Sequence, residues 1–251
     1  MSETSARISD LGFADIHCHM MANIDDGARS VHEMVKMAEQ AKNEGIDIVC
    51  FTPHTGVLGD DTDAECIKTA FAQAALHLKK HFPDMRFFLG SEIYYSLDIP
   101  EKLEKGIYLP INGSRYVLVE FSPGADLFNI RSGIKFITLA GYKPILAHVE
   151  RYVNLCDDLD AVRSLREMGT VIQTNSRYVM KRNIFGKSKC RRLLREGLVD
   201  VIATDCHDTA VRPPQMRQCY DYVAESFGKR YADVLMKINP RLILANKKIV
   251  R

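Results

Sequence analysis

Short apolar runs bounded by turn residues alternate with longer amphipathic stretches along nearly the whole chain. Apolar runs of this length are typical of buried strands, and the amphipathic stretches between them are typical of helices. Regular alternation of the two favours parallel strands covered by helices. Seven strands are predicted, at Phe13–His17, Asp47–Thr52, Arg86–Gly90, Tyr116–Phe121, Pro144–His148, Thr170–Asn175 and Asp200–Thr204.

The stretches between these runs carry the start and stop signals of helices. Two pairs have the spacing of a capping box, in which each side chain satisfies a free backbone donor: Ser30 with Glu33, and Thr62 with Glu65. Four glycines follow helical patterns, as expected where a left-handed residue ends a helix: Gly45, Gly141, Gly169 and Gly197.

This order of elements predicts a single α/β domain over residues 1–251. We expect a barrel of seven β/α units at about residues 13–228 and a helical tail at residues 229–251. An open doubly wound sheet is the alternative. No glycine-rich phosphate loop follows the first strand, which counts against a nucleotide-binding sheet of that kind.

Composition narrows the class of protein. Hydrophobic residues make up 46% of the chain and charged residues 26%, which describes an ordinary globular protein. A net charge of +2 gives no indication of nucleic-acid binding. The nearest approach to a basic patch is interpreted as the solvated face of one helix, and it comprises Lys187, Lys189, Arg191, Arg192 and Arg195.

Seven cysteines without a C-x-x-C pair favour reduced thiols over a disulfide framework. The polar N-terminus lacks the apolar segment of a signal peptide, and no apolar run approaches the roughly 18 residues needed to span a bilayer. We therefore expect a cytoplasmic protein without membrane insertion, although one able to act beside a membrane partner.

Nine residues able to bind metal lie at, or just past, the ends of six predicted strands. The carboxyl ends of parallel strands meet at one rim, where catalytic loops gather. His17 and His19 are two positions apart in a strand, so both imidazoles point to the same face. Spacing does not decide between Asp25 and Asp26 in the following turn. With Asp26, the nine are His17, His19, Asp26, His54, Glu92, Glu120, His148, Asp205 and His207.

The chemistry of this set favours several divalent ions. A single glutamate at the end of an apolar strand, such as Glu92 or Glu120, is explained by a salt bridge to an arginine. Because residues able to bind metal recur at the ends of successive strands, metal binding is favoured instead. Imidazole with carboxylate suits Mn, Fe or Zn, and the absence of thiolates disfavours a structural zinc site. Three ions would leave a net charge of about +2, which suits a phosphomonoester. Arg151 and Arg212, close behind two of the histidines, could donate to its oxygens.

These segments together resemble the polymerase-and-histidinol-phosphatase (PHP) superfamily, and within it the bacterial capsule-locus protein-tyrosine phosphatases of CpsB/CapC type. The resemblance extends from about Phe13 to Ala245. The segments that carry it are Asp15–His19, Ile24–Gly27, Thr52–His54, Gly90–Ile93, Val119–Phe121, Ala147–Tyr152, Thr204–His207 and Asn239–Asn246.

The resemblance implies a distorted seven-stranded (β/α)7, TIM-like barrel with a trinuclear centre, usually of manganese, with Fe or Zn as alternatives. It further implies metal-hydroxide attack on a phosphotyrosine, in the C-terminal tail of a bacterial tyrosine kinase of capsule or exopolysaccharide synthesis. Arg151, Arg212 and Asp26 form the implied catalytic set. The implied ligands are His17, His19, Glu92 and Asp205 for one ion, Glu92, Glu120 and His148 for the second, and Asp26, His54 and His207 for the third.

Departures from the family pattern leave the substrate open. Thr55, Met21-Ala22 and Val149 stand where the family often has histidine, Leu-Pro and proline. A phosphatase acting on histidinol phosphate or a phosphosugar is one alternative. A metal-dependent phosphodiesterase or nuclease is another, although no basic tract is evident near the rim. An amidohydrolase would have a metal-bridging lysine where Glu120 stands, and a metal-binding regulator without turnover is also open.

The segment Cys206 to Arg212 matches C-x5-R, the pattern of cysteine-dependent tyrosine phosphatases. That chemistry needs a thiolate within a loop of converging backbone donors. Because Cys206 lies between Asp205 and His207, and the intervening residues lack glycine, we interpret the match as coincidental. The sequence indicates neither a general acid nor an oligomeric state.

Overall fold

The structure is a computed structural model that describes residues 10–57, 64–181 and 189–251. Two positions used above, Thr62 of the second capping box and Lys187 of the basic run, lie outside the described residues. No helix in the described ranges combines the length and apolar character needed to cross a lipid bilayer.

Parallel strands form the centre of the molecule. The seven predicted strands are confirmed, with ends that agree to within two residues. Two further short strands, His54–Thr55 and Glu92–Tyr94, follow the second and third of them. The described residues form nine strands: β1 (Phe13–Cys18), β2 (Ile46–Phe51), β3 (His54–Thr55), β4 (Arg86–Leu89), β5 (Glu92–Tyr94), β6 (Tyr116–Glu120), β7 (Lys143–Leu146), β8 (Val171–Asn175) and β9 (Val201–Ala203).

Helices follow most of the strands and cover the outside of the sheets. Two 3-10 turns, at Ile111–Gly113 and Val149–Arg151, and a π-helical turn at Val234–Ile238 complete the described elements. The described α-helices are α1 (Val31–Asn43), α2 (Ala64–His81), α3 (Ile99–Glu104), α4 (Leu127–Leu139), α5 (Val153–Cys156), α6 (Leu159–Glu167), α7 (Ser176–Met180), α8 (Lys189–Arg195), α9 (Arg217–Phe227), α10 (Lys229–Asp233) and α11 (Asn239–Leu244).

The strands pair in two sheets, in the orders β1-β2-β4 and β3-β5-β6-β7-β8-β9. The predicted α/β class with parallel strands is therefore confirmed, whereas pairing among the described strands does not close one seven-stranded sheet. β1 and β9 meet at the carboxyl rim, where Asp205 N donates to His17 O at 2.8 Å and His19 N donates to Cys206 O at 2.9 Å. These bonds bring the first and last predicted ligand segments together.

A 3-10 turn packs where β4 has no second neighbouring strand. β4 pairs with β2, and the turn Ile111–Gly113 lies against it. Gly90 allows this approach, because a Cβ there would lie 2.8 Å from Cδ1 and 3.1 Å from Cα of Ile111. A larger residue at position 90 would therefore require the turn to shift by a few tenths of an ångström.

Apolar side chains on both faces of the strands explain why the strand sequences read as nearly continuous apolar runs. One buried cluster fills the space between strands and helices and includes Phe51, Val119 and Met37. A smaller cluster lies on the other face and includes Ile16, Leu118 and Ile145. The rim therefore rests on a packed interior, which holds its side chains in defined positions.

The helix starts and ends that depend on neighbouring residues agree with the prediction. Ser30 Oγ accepts from Glu33 N at 3.1 Å, which confirms the first cap. The four predicted helix-ending glycines all have positive φ, between 64° and 96°. The C-terminal segment packs under the strands: Asn239 Nδ2 donates to Asp200 O at 2.8 Å, and Asn239 Oδ1 accepts from Val250 N at 2.8 Å.

Candidate metal centre

The Glu92 carboxylate lies at the middle of the predicted ligand set. This side chain is fully buried at the start of β5. Its oxygens lie 3.1 Å from Nε2 of His17, 3.1 Å from Nε2 of His19, 3.2 Å from Nδ1 of His54 and 2.7 Å from Nε2 of His148. Four strand ends thus meet at one carboxylate, as expected for parallel strands that end at a common rim.

The first group of donor atoms has the dimensions of a tetrahedral metal site. His17 Nε2 and His19 Nε2 are 3.3 Å apart, and Asp205 Oδ1 lies 3.4 Å and 3.5 Å from them. Glu92 Oε2 completes the group, in which all four donor atoms lie within 4.8 Å of one another. Four ligands about 2.1 Å from a central ion stand about 3.4 Å apart in a tetrahedron. These residues therefore fit a divalent ion.

Hydrogen bonding at the far side of each imidazole supports the same fit. The backbone N–H of His148 donates to Gln173 Oε1 at 2.6 Å, so this oxygen must accept from His17 Nδ1, which lies 3.2 Å away. His19 Nδ1 likewise donates to Asp25 Oδ2 at 2.7 Å. Both Nε2 atoms are then free to face the centre with lone pairs, the arrangement found in metal-binding histidines. A cation between them removes the repulsion among lone pairs and carboxylate oxygens.

A second group shares Glu92 with the first. His148 Nε2 lies 2.7 Å from Glu92 Oε1 and 3.4 Å from Glu120 Oε1. His54, Glu92 and Glu120 also offer donor atoms within 4.8 Å of one another. Because each oxygen of Glu92 faces different histidines, this carboxylate would be shared by two ions if both groups bound one.

The third group of donor atoms includes Asp26 and not its neighbour Asp25. Asp26 Oδ1 lies 3.3 Å from His207 Nε2 and 3.5 Å from His54 Nε2. The Asp25 carboxylate is instead occupied by the His19 imidazole and by the backbone N–H groups of Gly27 and His54, at 3.0 Å and 3.1 Å. Asp25 orients a histidine, whereas Asp26 faces the centre.

Buried carboxylate oxygens and shifted pKa values in the cluster indicate a site that bound cations would stabilise. Glu92 Oε2 and Asp205 Oδ1 are buried without a hydrogen-bond partner among the described residues, although histidine nitrogens lie nearby. Burial and the neighbouring Glu92 raise the pKa of Glu120 to about 7. Burial and the neighbouring His19 lower the pKa of His54 to about 4. Bound cations favour carboxylates in the ionised form and histidines in the neutral form.

Two residues of the cluster have unusual backbone conformations. His148 and Asp205 have φ values of 31° and 53°, in the left-handed region that residues other than glycine seldom adopt. Such conformations cost on the order of 1 kcal/mol or more and persist where the surrounding structure over-determines them. Here the two conformations turn both side chains towards the centre directly after β7 and β9.

A polar cavity of about 260 Å³ adjoins the cluster and shares Asp205 with it. Both arginines selected from the sequence line this cavity. Arg151 Nη2 and Arg212 Nη2 donate to Asp205 Oδ2 at 3.0 Å and 2.8 Å, and Arg151 Nη1 donates to Glu120 Oε1 at 3.2 Å. Asp205 thus faces the histidines with one oxygen and the arginines with the other.

Three polar residues that support the site were missed in the sequence. Gln173 and Asn175 lie on β8, and Asn175 Nδ2 donates to Asp205 Oδ2 at 2.7 Å. Glu150 is buried and accepts from Thr174 Oγ1 at 2.7 Å and from Asn175 N at 3.0 Å, so it ties the turn that carries Arg151 to the end of β8. For Gln173 and Asn175 the available signal was the polar end of the apolar strand predicted at Thr170–Asn175.

Cys206 does not face the cavity. Its side chain is fully buried and belongs to the apolar cluster between strands and helices. A nucleophilic cysteine has to meet the phosphorus of an incoming ester. The burial of Cys206 therefore supports the interpretation of the C-x5-R match as coincidental.

Comparisons with a family model and with individual proteins point to the same family. The family model described as capsular polysaccharide synthesis, CpsB/CapC, matches residues 13–245. The chain is 36% identical over 241 residues to the tyrosine-protein phosphatase CpsB of Streptococcus pneumoniae, covering 94% of this chain and 99% of that protein. It is 28% identical over 243 residues to the tyrosine-protein phosphatase YwqE of Bacillus subtilis (strain 168), covering 94% and 93%.

A similar protein structure is also known. The chain superposes with a TM-score of 0.86 and 28% identity on a crystal structure from work on YwqE of Bacillus subtilis and CpsB of Streptococcus pneumoniae, described as unique metal-dependent tyrosine phosphatases. The match covers 95% of this chain and 96% of the other. The range matched by the family model, residues 13–245, includes all nine residues of the cluster.

Proposed function

This chain belongs to the CpsB/CapC family of capsular polysaccharide synthesis proteins, and from that membership we propose that it is a metal-dependent protein-tyrosine phosphatase. The observation that carries the proposal is the convergence of nine imidazole and carboxylate side chains beside a cavity lined by arginines. That pairing suits hydrolysis of a phosphomonoester, because the ester is anionic and its hydrolysis needs an activated water.

The proposed metal ligands are the three groups described above, with Mn²⁺ as the proposed ion and Fe or Zn as alternatives. The support is the spacing of the donor atoms and the burial of carboxylate oxygens without hydrogen bonds. Bound there, divalent ions would lower the pKa of water and stabilise negative charge on phosphoryl oxygens. The groups are His17, His19, Glu92 and Asp205, then Glu92, Glu120 and His148, and then Asp26, His54 and His207.

Arg151 and Arg212 are proposed to bind the phosphoryl oxygens of the substrate. Asp205 Oδ2 holds both guanidinium groups in place before substrate binds, and Asn175 holds this oxygen in turn. Donors that are already oriented stabilise developing charge without having to rearrange during the reaction. A tyrosine phenolate, with a pKa of about 10, leaves more readily than an alkoxide, so the proposal requires no dedicated general acid.

We infer that the nine strands act as seven continuous lines of a distorted barrel, with β3 extending β2 and β5 extending β4. The supporting observations are the two short interruptions and the hydrogen bonds that join β1 to the end of β9. In this arrangement residues 229–251 close the end opposite the cluster.

The proposed partner is a phosphotyrosine protein in the cytoplasm, and specifically the C-terminal tail of a bacterial tyrosine kinase of capsule synthesis. The support is that the similar proteins are named tyrosine-protein phosphatases and that the matching family is one of capsular polysaccharide synthesis.

An activity panel tests the proposed function. The metal-loaded protein should hydrolyse a phosphotyrosine peptide faster than a phosphoserine peptide, histidinol phosphate or a phosphodiester. Chelation should abolish the activity and Mn²⁺ should restore it. A preference for histidinol phosphate or for the diester would assign one of the alternative functions instead.

A cysteine variant separates the two mechanisms. Because Cys206 is buried among apolar side chains, Cys206→Ser should retain most of the phosphatase activity. The measurement is kcat/KM together with the metal content of the variant. A loss of several orders of magnitude with metals still bound would favour a thiolate nucleophile.

A further inference from the structure

The cavity beside the cluster contains a third arginine that the proposed mechanism does not use. Arg177 lies on α7, directly after β8, and lines the cavity with Tyr178, Arg151 and Arg212. Its side chain is exposed, whereas Arg151 and Arg212 are partly buried. Arg177 therefore stands on the solvent-facing side of the cavity.

Arg177 differs from the other two arginines of the cavity in the partner of its guanidinium group. Arg151 and Arg212 each pair with Asp205. Arg177 Nη1 instead donates to the neutral carbonyl of Val211 at 3.1 Å, and no carboxylate in the described part of the chain lies within 4.0 Å of this guanidinium. Its positive charge is thus available for an anionic group of a ligand.

The segment that carries Arg177 is held firmly. Ser176 Oγ donates to Gln215 O at 2.5 Å, and Arg191 Nε donates to Val179 O at 2.8 Å. A second cation, Lys181, follows directly after this helix. It is exposed, and its Nζ lies 5.4 Å from the centre of the Tyr178 ring. Arg177 and the Tyr178 ring thus line one side of the cavity, and Lys181 adds a second positive charge against that ring.

We propose that Arg177, with Tyr178 and Lys181, forms a subsite that binds an anionic side chain of the substrate peptide next to the phosphotyrosine. This inference rests on the proposed function and adds a basis for selectivity to it. The phosphoryl group engages Arg151 and Arg212 deeper in the cavity. A small phosphate ester offers nothing to this subsite, but a peptide with a carboxylate or a second phosphate near the phosphotyrosine does. The subsite therefore favours acidic peptides over small phosphate esters.

The experiment compares peptides that differ in one residue beside the phosphotyrosine, which is neutral, glutamate or a second phosphotyrosine. For each enzyme variant the readout is the ratio of kcat/KM for an acidic peptide to that for the neutral one, because this ratio cancels any loss common to both. The wild type should prefer the acidic peptides by about fivefold, the upper end of what a solvent-exposed charge pair contributes. The preference should weaken between about 50 mM and about 0.5 M salt, because salt screens exposed charges.

Arg177→Ala should reduce this ratio most of the way to 1, because only Lys181 then remains as a cation of the subsite. Arg177→Lys should keep more of the ratio, since lysine retains the charge but not the planar donor pair. Arg230→Ala is the matched control: it removes an exposed arginine near Asp200, at the opposite end of the strands, and should leave the ratio unchanged. Whichever acidic peptide gives the larger ratio identifies the preferred anion.

Two results would overturn the subsite. One is a wild-type enzyme that does not distinguish acidic from neutral peptides. The other is an Arg177→Ala variant that loses activity equally on all peptides, which would mean that Arg177 acts by holding the loop at Val211. Failure of the metal-loaded wild type to hydrolyse any phosphotyrosine peptide is a different outcome, because it would reject the proposed function and the subsite with it.

Discussion

At the scale of single residues, Asp205 connects two parts of the site through its two oxygens. Oδ1 faces the imidazoles of His17 and His19, and Oδ2 accepts from both arginines. At Asp205 the arginines contact only the outer oxygen, so their removal should change phosphate binding and leave the inner oxygen of Asp205 in place for metal.

Replacing Arg151 or Arg212 by alanine should therefore lower kcat/KM by a factor on the order of 10² to 10³, the scale for one preorganised donor. Lysine at either position should recover part of the loss, because it restores charge without the two directed donors. Steady-state kinetics and metal analysis of the same preparations test this. Wild-type kinetics in both alanine variants would leave the phosphate-binding assignment without support.

Gln173 is a second residue whose role can be isolated. Its Oε1 atom orients the His17 ring, and residues that orient metal-binding histidines typically contribute 10- to 100-fold to metal affinity. Gln173→Ala should weaken metal binding by about that factor, measured by titration with a metal buffer. Gln73→Ala, at an exposed position on α2, is the control and should bind metal like the wild type. Equal affinities in the two variants would contradict the orienting role.

At the scale of elements, the loop between β1 and α1 is pinned against the end of β1. A Cβ at Gly27 would lie 1.8 Å from the carbonyl oxygen of His19, so this loop closes only with glycine there. The same loop carries Asp25 and Asp26. The position of both carboxylates therefore depends on one close backbone contact.

Gly27→Ala should displace this loop. We expect a loss of about 2 to 3 kcal/mol in stability, or about 5–10 °C in Tm, together with weaker metal binding. Gly124→Ala is the control, because a Cβ at Gly124 would have no neighbour within 4 Å. Thermal unfolding and metal content measure both effects. Unchanged metal content in a correctly folded Gly27→Ala variant would separate this loop from the centre.

At the scale of the whole molecule, the cluster joins strands from both sheets. Asp26, Glu92, Glu120 and Asp205 bring four carboxylates to one rim, and without cations they repel one another. Metal ions bound only by the folded state should stabilise the whole fold.

Chelation should consequently lower Tm by about 5–10 °C, if the ions are present at about 100 times their dissociation constant. Added Mn²⁺ should restore the original Tm. Glu92→Gln removes the central carboxylate, so chelation should lower its Tm much less. Identical melting curves for the wild type before and after complete metal removal would count against the proposed centre.

Local sequence was sufficient for the strands, the first helix cap and the helix-ending glycines. Each depends on side-chain periodicity or on backbone conformation within a few residues. The convergence of His17, Glu92, Glu120 and His148 could also be expected, because the carboxyl ends of parallel strands meet wherever the helices place them. The family resemblance supplied the grouping of these residues, which spacing alone does not.

Only the tertiary structure decided the features that depend on contacts between distant segments. The division of labour between Asp25 and Asp26 follows from where His19, His54 and His207 lie after folding. The roles of Gln173 and Arg177 depend on segments more than 30 residues away, at His17 and Val211. No local pattern records such contacts, because the same polar residue at a strand end can face a ligand, a neighbouring strand or solvent. Local sequence thus determined which residues lie at the carboxyl ends of the strands. Packing between distant segments determined which of their side chains face the centre of the cluster.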